Sequence, residues 1–499
     1  MSRPNILLVV WDACRRDAAR EHAPTLSNLA ASNVRFENAI TPGGSSLPAH
    51  VSIATGTYPD EHGVVRQSHT IDSVPLVDTL NAAGYHTVGV SANGFASSKY
   101  GFDAPFDRFY NTQGLVVSPE GFDVHEYAKR VADRTGEQFS TDDVDYATLA
   151  KQVLTHEHPV ASALNLGAAA LAELVGAYPA LRRIPHPRFS RFNEFCYDPA
   201  KNTNRITRVF EEHAERDRPF FVFANYMDPH HPYAPPERYQ REYCGRSFSY
   251  RELRRLSHET HPWNYMERIA AGDPPSEEWL DTVRDLYHGE VRTADDHLRR
   301  LLDTLDRTGL REETLIVVTA DHGENLGETD RLGERRMGHV CSGSDHHLRV
   351  PLVVAHPDLG NRTVEQYVSL KDLFGLLTEG ADRLGESTGD PLAPLLTEAV
   401  VSAAVPATDN DALVEKYPEL ADVLGRHLVA SYVDEWAAVV ASTGEERVWR
   451  DGTERDPREA PPDLLETSQE RLGGLVEAAT EDRALSEGEI AHLEALGYM

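Results

Sequence analysis

Lysine is nearly missing from this chain: it occurs only at Lys99, Lys129, Lys151, Lys201, Lys371 and Lys416. With 49 Lys+Arg against 80 Asp+Glu the formal net charge is −31, and no basic stripe interrupts the acidity. That argues against a nucleic-acid partner, because nothing is there to neutralise phosphates. The acidic residues are spread along the chain and not gathered in a tail. Such a composition suits solubility at high salt, where screening relieves self-repulsion; the plain alternative is an ordinary acidic cytoplasmic enzyme. Cysteine is scarce too, and Cys14, Cys196, Cys244 and Cys341 lie far apart without zinc-ribbon spacing. A reduced, cytoplasmic protein is expected, with no disulfide framework. Long apolar runs are also lacking. The N-terminal run is too short for a secretory signal and enters a strand at once. Val160 to Leu181 comes nearest to a membrane span, but Asn165, Glu173 and Pro179 interrupt it, so a buried or surface helix is expected there. No internal repeat or long low-complexity segment is present.

What the chain does have is a series of short apolar, β-branched runs alternating with amphipathic helices. Asn5–Val10, His86–Val90, Phe220–Phe223, Thr314–Thr319 and Pro351–Ala355 read as buried strands. The pattern predicts a doubly wound α/β fold, a mixed or parallel sheet with helices on both faces. Residues 1–385 are expected to form the catalytic domain and 386–499 a small C-terminal α+β subdomain. In the latter, Val429–Ser442 and Arg447–Arg450 read as a β-hairpin, Asp451–Pro462 as a loop and Ser486–Leu496 as a last helix. Residues 115–200 form an insert, helical in pattern over Thr141–Leu154 and Ala161–Val175.

Function is expected where strands end. Ligands of open α/β sheets bind outside the carboxyl ends of the strands. At the end of the Thr314–Thr319 run the polarity flips to Asp321, His322, Gly323 and Glu324. A carboxylate and an imidazole side by side can reach one divalent cation, while Gly323 lets the backbone leave at an angle a side chain would forbid. Asp12 stands at the end of the first strand in the same way, as a ligand or as a helix cap for the segment that follows. In Thr41–His50, T-P-G-G-S-S-L-P-A-H, an amphipathic helix is expected from Pro48 towards Thr55. Ser46 then sits at a helix N-terminus that favours an anionic substrate; the competing reading is an N-cap.

Together these segments resemble the sulfatase family of the alkaline phosphatase superfamily, in its haloarchaeal type. The resemblance is carried by N-I-L-L-V-V-x-D-x-x-R-x-D, S-x-P-x-H, T-G-x-x-P-x-x-H-G and T-x-D-H-G-E. It continues in Gly84-Tyr85-His86-Thr87, in N-Y-M-D-P-H-H-P-Y from Asn225, and in the long helix expected over Leu286–Asp306. Gly338-His339, R-V-P-L from Arg349 and the closing L-E-A-L-G-Y complete it. Each block alone is weak; their order and spacing are specific. The departures are informative. Sulfatases proper carry C/S-x-P-x-R, whose Cys or Ser is oxidised to formylglycine, but here His50 replaces the Arg. The G-K-W-H positions are occupied around Asn93 by Ala92 and Gly94, and the late Lys by His339. The resemblance therefore implies an unmodified Ser46 nucleophile, as in the superfamily's phosphoesterases.

The chemistry agrees. One divalent ion (Ca²⁺, Mn²⁺ or Mg²⁺) held by Asp12, Ser46, Asp321 and His322 neutralises an ester's charge and acidifies the Ser46 hydroxyl. His230 and His339 bind non-bridging oxygens or protonate the leaving oxygen, and Asn93 adds a donor. Asp228 either completes a second metal site with His230 and His339 or caps the turn before Pro229. His62, His346 and His347 are expected in packing or rim positions. The expected function is hydrolysis of sulfuric or phosphoric esters of a small molecule, glycan or lipid. Two alternatives stand beside it: transfer of the Ser46-bound group to a glycan or lipid headgroup, and a non-catalytic protein that binds a partner.

Overall fold

The computed structural model describes residues 3–480 apart from 67–68, 72, 113–121, 123–145, 168–197, 217, 385–388 and 409. Up to residue 369 its strands are β1 (Asn5–Trp11), β2 (Val34–Ile40), β3 (His86–Ser91), β4 (Arg108–Asn111), β5 (Phe220–Tyr226), β6 (Thr314–Ala320), β7 (Asn325–Thr329), β8 (Arg335–Gly338), β9 (Arg349–Ala355) and β10 (Arg362–Ser369). Eight of them form one sheet in the order β10-β2-β9-β6-β1-β5-β3-β4, and β7 and β8 pair as a separate ribbon. Every residue of β1, β3, β5 and β6 is buried. Side chains alternate across a sheet, so burial at every position means that helices cover both faces. β9 runs antiparallel to its neighbours β2 and β6, which makes the sheet mixed. The parallel strands β3, β5, β1 and β6 all deliver their carboxyl ends to one edge.

The longest helix among the described residues, Glu277–Thr308, contains the expected Leu286–Asp306 and starts nine residues earlier. Ser276 caps it by accepting from the Trp279 N–H, and Gly309 closes it in the left-handed conformation. Between them Leu280, Val283, Tyr287, Val291, Ala294, Leu298, Leu301 and Leu305 recur at helical spacing as a buried stripe. The helix Pro24–Ser32 starts with Pro24 in its first turn, where the missing N–H costs nothing. The helix after the Gly-rich loop differs from expectation. It begins at Ser46, not Pro48, and Ser46 through Ala54 are all buried, so it is not amphipathic. It is wedged between the helices Pro59–His62 and Pro75–Ala82 and the segment Leu370–Gly375, which leaves it no solvent face.

A second, antiparallel sheet forms a small C-terminal subdomain in the order β11 (Val401–Val405), β12 (Leu428–Val433), β13 (Trp436–Ala441), β14 (Glu446–Arg450) and β15 (Thr453–Arg455). The helix Pro462–Thr480 packs on it. Val429–Ser442 is thus two strands, not one arm of a hairpin: Asp434, at φ 46°, turns the chain inside a largely apolar run. The expected loop 451–462 contains β15. β11 also reaches back to the large sheet. Gly44 N–H donates to Ala404 O and Ala404 N–H to Pro42 O, each at 2.9 Å. In the insert, Tyr146–Thr155 and residues 159–167 are helical. The rest of it, including most of Val160–Leu181, and Ser486–Leu496 lie outside the described residues. Among the described residues no helix is long and apolar enough to cross a membrane.

Candidate active site

Asp12 follows β1, Asn93 follows β3, Asp228 and His230 follow β5, and Asp321 and His322 follow β6. All therefore meet at the carboxyl edge of the sheet. Asp12 caps no helix; the next one begins at Arg16 behind an Arg15 cap. The backbone instead turns sharply at Ala13, a non-glycine residue at φ 58°, an uncommon conformation of the kind found near functional sites. That turn aims the Ala13 N–H at Asp321 Oδ1, 3.1 Å away. Tyr287 holds it by donating to Ala13 O at 2.8 Å.

Asp12, Asp321 and His322 each present a ligand atom within 4.8 Å of the others, and all three are buried. Among the described residues no other group of three acidic, His or Cys side chains does this. Asp12 Oδ1 and Asp321 Oδ2 are buried without a hydrogen-bond partner. His322 Nδ1 faces Gly323 O at 2.8 Å, so it donates there and leaves the lone pair on Nε2. That nitrogen lies 3.8 Å from Asp12 Oδ1, 3.6 Å from Asp321 Oδ2 and 3.2 Å from Ser46 Oγ. Burial and the Asp321 charge push Asp12 well above the ordinary carboxylate range. Burial opposes the Asp321 charge as well, but His322 and His50 outweigh it and hold Asp321 low. Two unpartnered carboxylate oxygens, an imidazole lone pair and a hydroxyl are the donor set that a divalent ion fits.

Ser46 is the first residue of its helix, with Ser45 as N-cap. His50, one turn later, braces it: Nδ1 donates to Ser46 O at 2.7 Å, and Nε2 accepts from Asn225 Nδ2 at 2.9 Å. Both nitrogens are engaged and burial lowers the ring's pKa, so His50 is a structural brace at the position where sulfatases proper have Arg. Gly323 is needed for a different reason than its backbone angle. A Cβ there would stand 2.1 Å from His346 O, because Gly323 N–H bonds His347 O at 2.7 Å.

The remaining candidates divide. His230 and His339 come together, ring centroids 5.1 Å apart, and His339 lies 4.3 Å from His322. Burial pushes both His230 and His339 down to about 3. His230 Nδ1 donates to His231 O, so its Nε2 carries the lone pair. Asn93 faces Asp12: one amide N–H donates to Asp12 Oδ2, and Asn93 Oδ1 accepts from Phe95 N–H. Among the described residues Asp228 does not group with His230 and His339 as ligands of one ion would, and it lies beside Glu290 on the long helix. His62 bonds Ser52 Oγ at 3.0 Å, His346 meets Arg15, and His347 lies between Gly44 O and Ser342 O. Sequence reasoning left His50, Asn225 and Glu324 without roles, although all three lie inside the motif blocks.

Comparison with known proteins is consistent with this geometry. The sulfatase family profile matches residues 4–379. The multifunctional alkaline phosphatase superfamily protein PehA of Trinickia caryophylli is 25% identical over 403 residues, covering 71% of this chain and 68% of that protein. The choline-sulfatase of Rhizobium meliloti is 23% identical over 403 residues, covering 76% and 69%. Among solved structures, the phosphonate monoester hydrolase of Silicibacter pomeroyi shares the fold at a TM-score of 0.58 and 18% identity, covering 95% of this chain and 96% of that one. With its profile spanning most of the sequence and the strand-end residues gathered at one edge, the chain belongs to the sulfatase family, ester hydrolases of the alkaline phosphatase superfamily.

Proposed function

We propose that this protein is a metal-dependent hydrolase of sulfuric or phosphoric esters that uses unmodified Ser46 as its nucleophile. The observation that carries this reading is the placement of Ser46 Oγ 3.2 Å from His322 Nε2, beside the two unpartnered oxygens of Asp12 and Asp321. A divalent ion held by Asp12, Ser46, Asp321 and His322 supplies charge neutralisation for the ester and a more acidic serine hydroxyl. The first helical turn behind Ser46 adds the positive end of a helix dipole.

Ser46 Oγ attacks sulfur or phosphorus in line, forming the Oγ–S or Oγ–P bond as the bond to the alcohol oxygen breaks. The hydroxyl proton passes to an imidazole and on to the leaving oxygen. His230 and His339 suit this as carriers: burial keeps both neutral at rest, so each accepts a proton before it can give one. Water then cleaves the Ser46 ester and restores the hydroxyl. Asn93 has one amide N–H committed to Asp12 and contributes the other to an ester oxygen. Two of the three proteins named above are a choline-sulfatase and a phosphonate monoester hydrolase, which supports a site for esters of sulfur or phosphorus oxyacids.

The test is a peptide map of Ser46 before and after incubation with aryl phosphate and aryl sulfate esters. An intact serine that gains about 80 Da from an ester is the expected result. A loss of about 2 Da before incubation would show formylglycine in spite of His50, and labelling of another residue would remove Ser46 from the role.

A further inference from the structure

Three residues from three separate blocks form one buried chain. Tyr233 ends N-Y-M-D-P-H-H-P-Y, Glu324 ends T-A-D-H-G-E, and His339 ends the Gly-His pair. The Tyr233 hydroxyl donates to Glu324 Oε2 at 3.1 Å, and Glu324 Oε1 lies 3.2 Å from His339 Nδ1. Glu324 has no exposed surface at all. It cannot be a ligand of the Asp12–Asp321–His322 corner while both its oxygens are turned to Tyr233 and His339.

A carboxyl group that receives a phenol on one oxygen presents only the other to an imidazole, so its plane is set before the ring meets it. The Oε1–Nδ1 hydrogen bond forms whichever partner holds its proton, and the placement of the ring does not depend on that. The bond restrains rotation of the His339 ring about its two side-chain bonds. With it, the ring is held against His322 on one side and His230 on the other. Tyr233 is itself fixed by edge-to-face packing on Tyr287, whose hydroxyl bonds the strained Ala13 turn. The same scaffold thus supports the Asp12 corner and the His339 side of the site.

We propose that Glu324 is a positioning residue for ester cleavage: held by Tyr233, it binds His339 Nδ1 and so directs Nε2 of that ring at the ester. This rests on the reading of His339 as part of the substrate site, and the experiment separates the two. Glu324→Ala, Glu324→Gln, Tyr233→Phe and His339→Ala are made singly, and Glu324→Ala and Tyr233→Phe also in the His339→Ala background. Turnover of an aryl ester is measured along with the Kd of orthovanadate, so that a variant without measurable turnover still reports. Glu324→Ala is expected to lower kcat about 10- to 100-fold, the range for lost outer-shell support. Glu324→Gln, which keeps a hydrogen-bonding group in reach of both neighbours, should recover most of it. Tyr233→Phe should cost a few-fold and keeps the idea testable where Glu324→Ala does not fold. In the His339→Ala background neither change should cost anything further. Equal losses in both backgrounds, or a Gln variant as impaired as the Ala variant, would overturn the positioning role. Full turnover by His339→Ala alone would instead overturn the reading on which it rests.

Discussion

Two pairs of buried carboxyl groups, three of the four just past strand ends and the fourth, Glu290, on the long helix, have different fates. Asp12 and Asp321 each keep one oxygen without a hydrogen-bond partner, with His322 Nε2 between them and Ser46 Oγ beside it. Asp228 lies beside Glu290, whose Oε1 accepts from Ala234 N–H at 2.6 Å, and their raised pKa values mean that the two share a proton. Burial pushes Asp228 up to about 7 and Glu290 well above its ordinary value. The second pair solves the cost of buried charge by keeping a proton; in the first, Asp321 stays low while burial and the Asp321 charge raise Asp12, and a cation between them would relieve that repulsion. Burial and acidity are common to both. The imidazole lone pair and the neighbouring Ser46 hydroxyl are what distinguish a site from a tie between β5 and the long helix.

The contrast breaks most visibly at Asp321. Asp321→Asn should abolish metal uptake and turnover together, read by elemental analysis and an ester assay; a variant with full metal content would make the two pairs equivalent. Ser46→Ala should lose turnover by several orders of magnitude while metal content and melting temperature stay near wild type. Loss of metal as well would show that the hydroxyl matters more as a ligand than as a nucleophile. Glu290→Gln probes the other pair through pH. Asp228 is raised in the fold, so its contribution to stability is full below pH 4 and is lost as pH rises through about 7. The variant, which can donate to Asp228 without a shared proton, should become more stable relative to wild type across that interval, with activity retained. Melting temperatures from pH 4 to 8 check this, and a constant difference would refute the shared proton. The smallest effect concerns the surface: at a net charge of −31, added KCl should raise the melting temperature gradually through screening.

How much could be read in advance follows the range of the forces involved. Strand positions are written in hydrophobic period, which acts over a few residues, whereas the long helix was expected from Leu286 and its Ser276 cap lies ten residues before that start. The rule that ligands gather at strand ends then placed Asp12, Asp321 and His322 together before any coordinates. The order of the motif blocks made the family legible. Other features depended on partners outside the local stretch, from tens to hundreds of residues away. Gly323 is needed because the His346 carbonyl approaches it, and the helix at Ser46 is buried because segments near 60, 75 and 370 close over it. Asn93 turns to Asp12, Asp228 to Glu290, and Ala404 of the small sheet clamps the loop before Ser46. By itself the sequence determined which side chains carry chemistry and which elements bear them, because period, polarity and turn chemistry are local. Only the tertiary structure decided which of those side chains is left unpartnered, because a buried polar group takes whatever partner packing brings within about 3 Å.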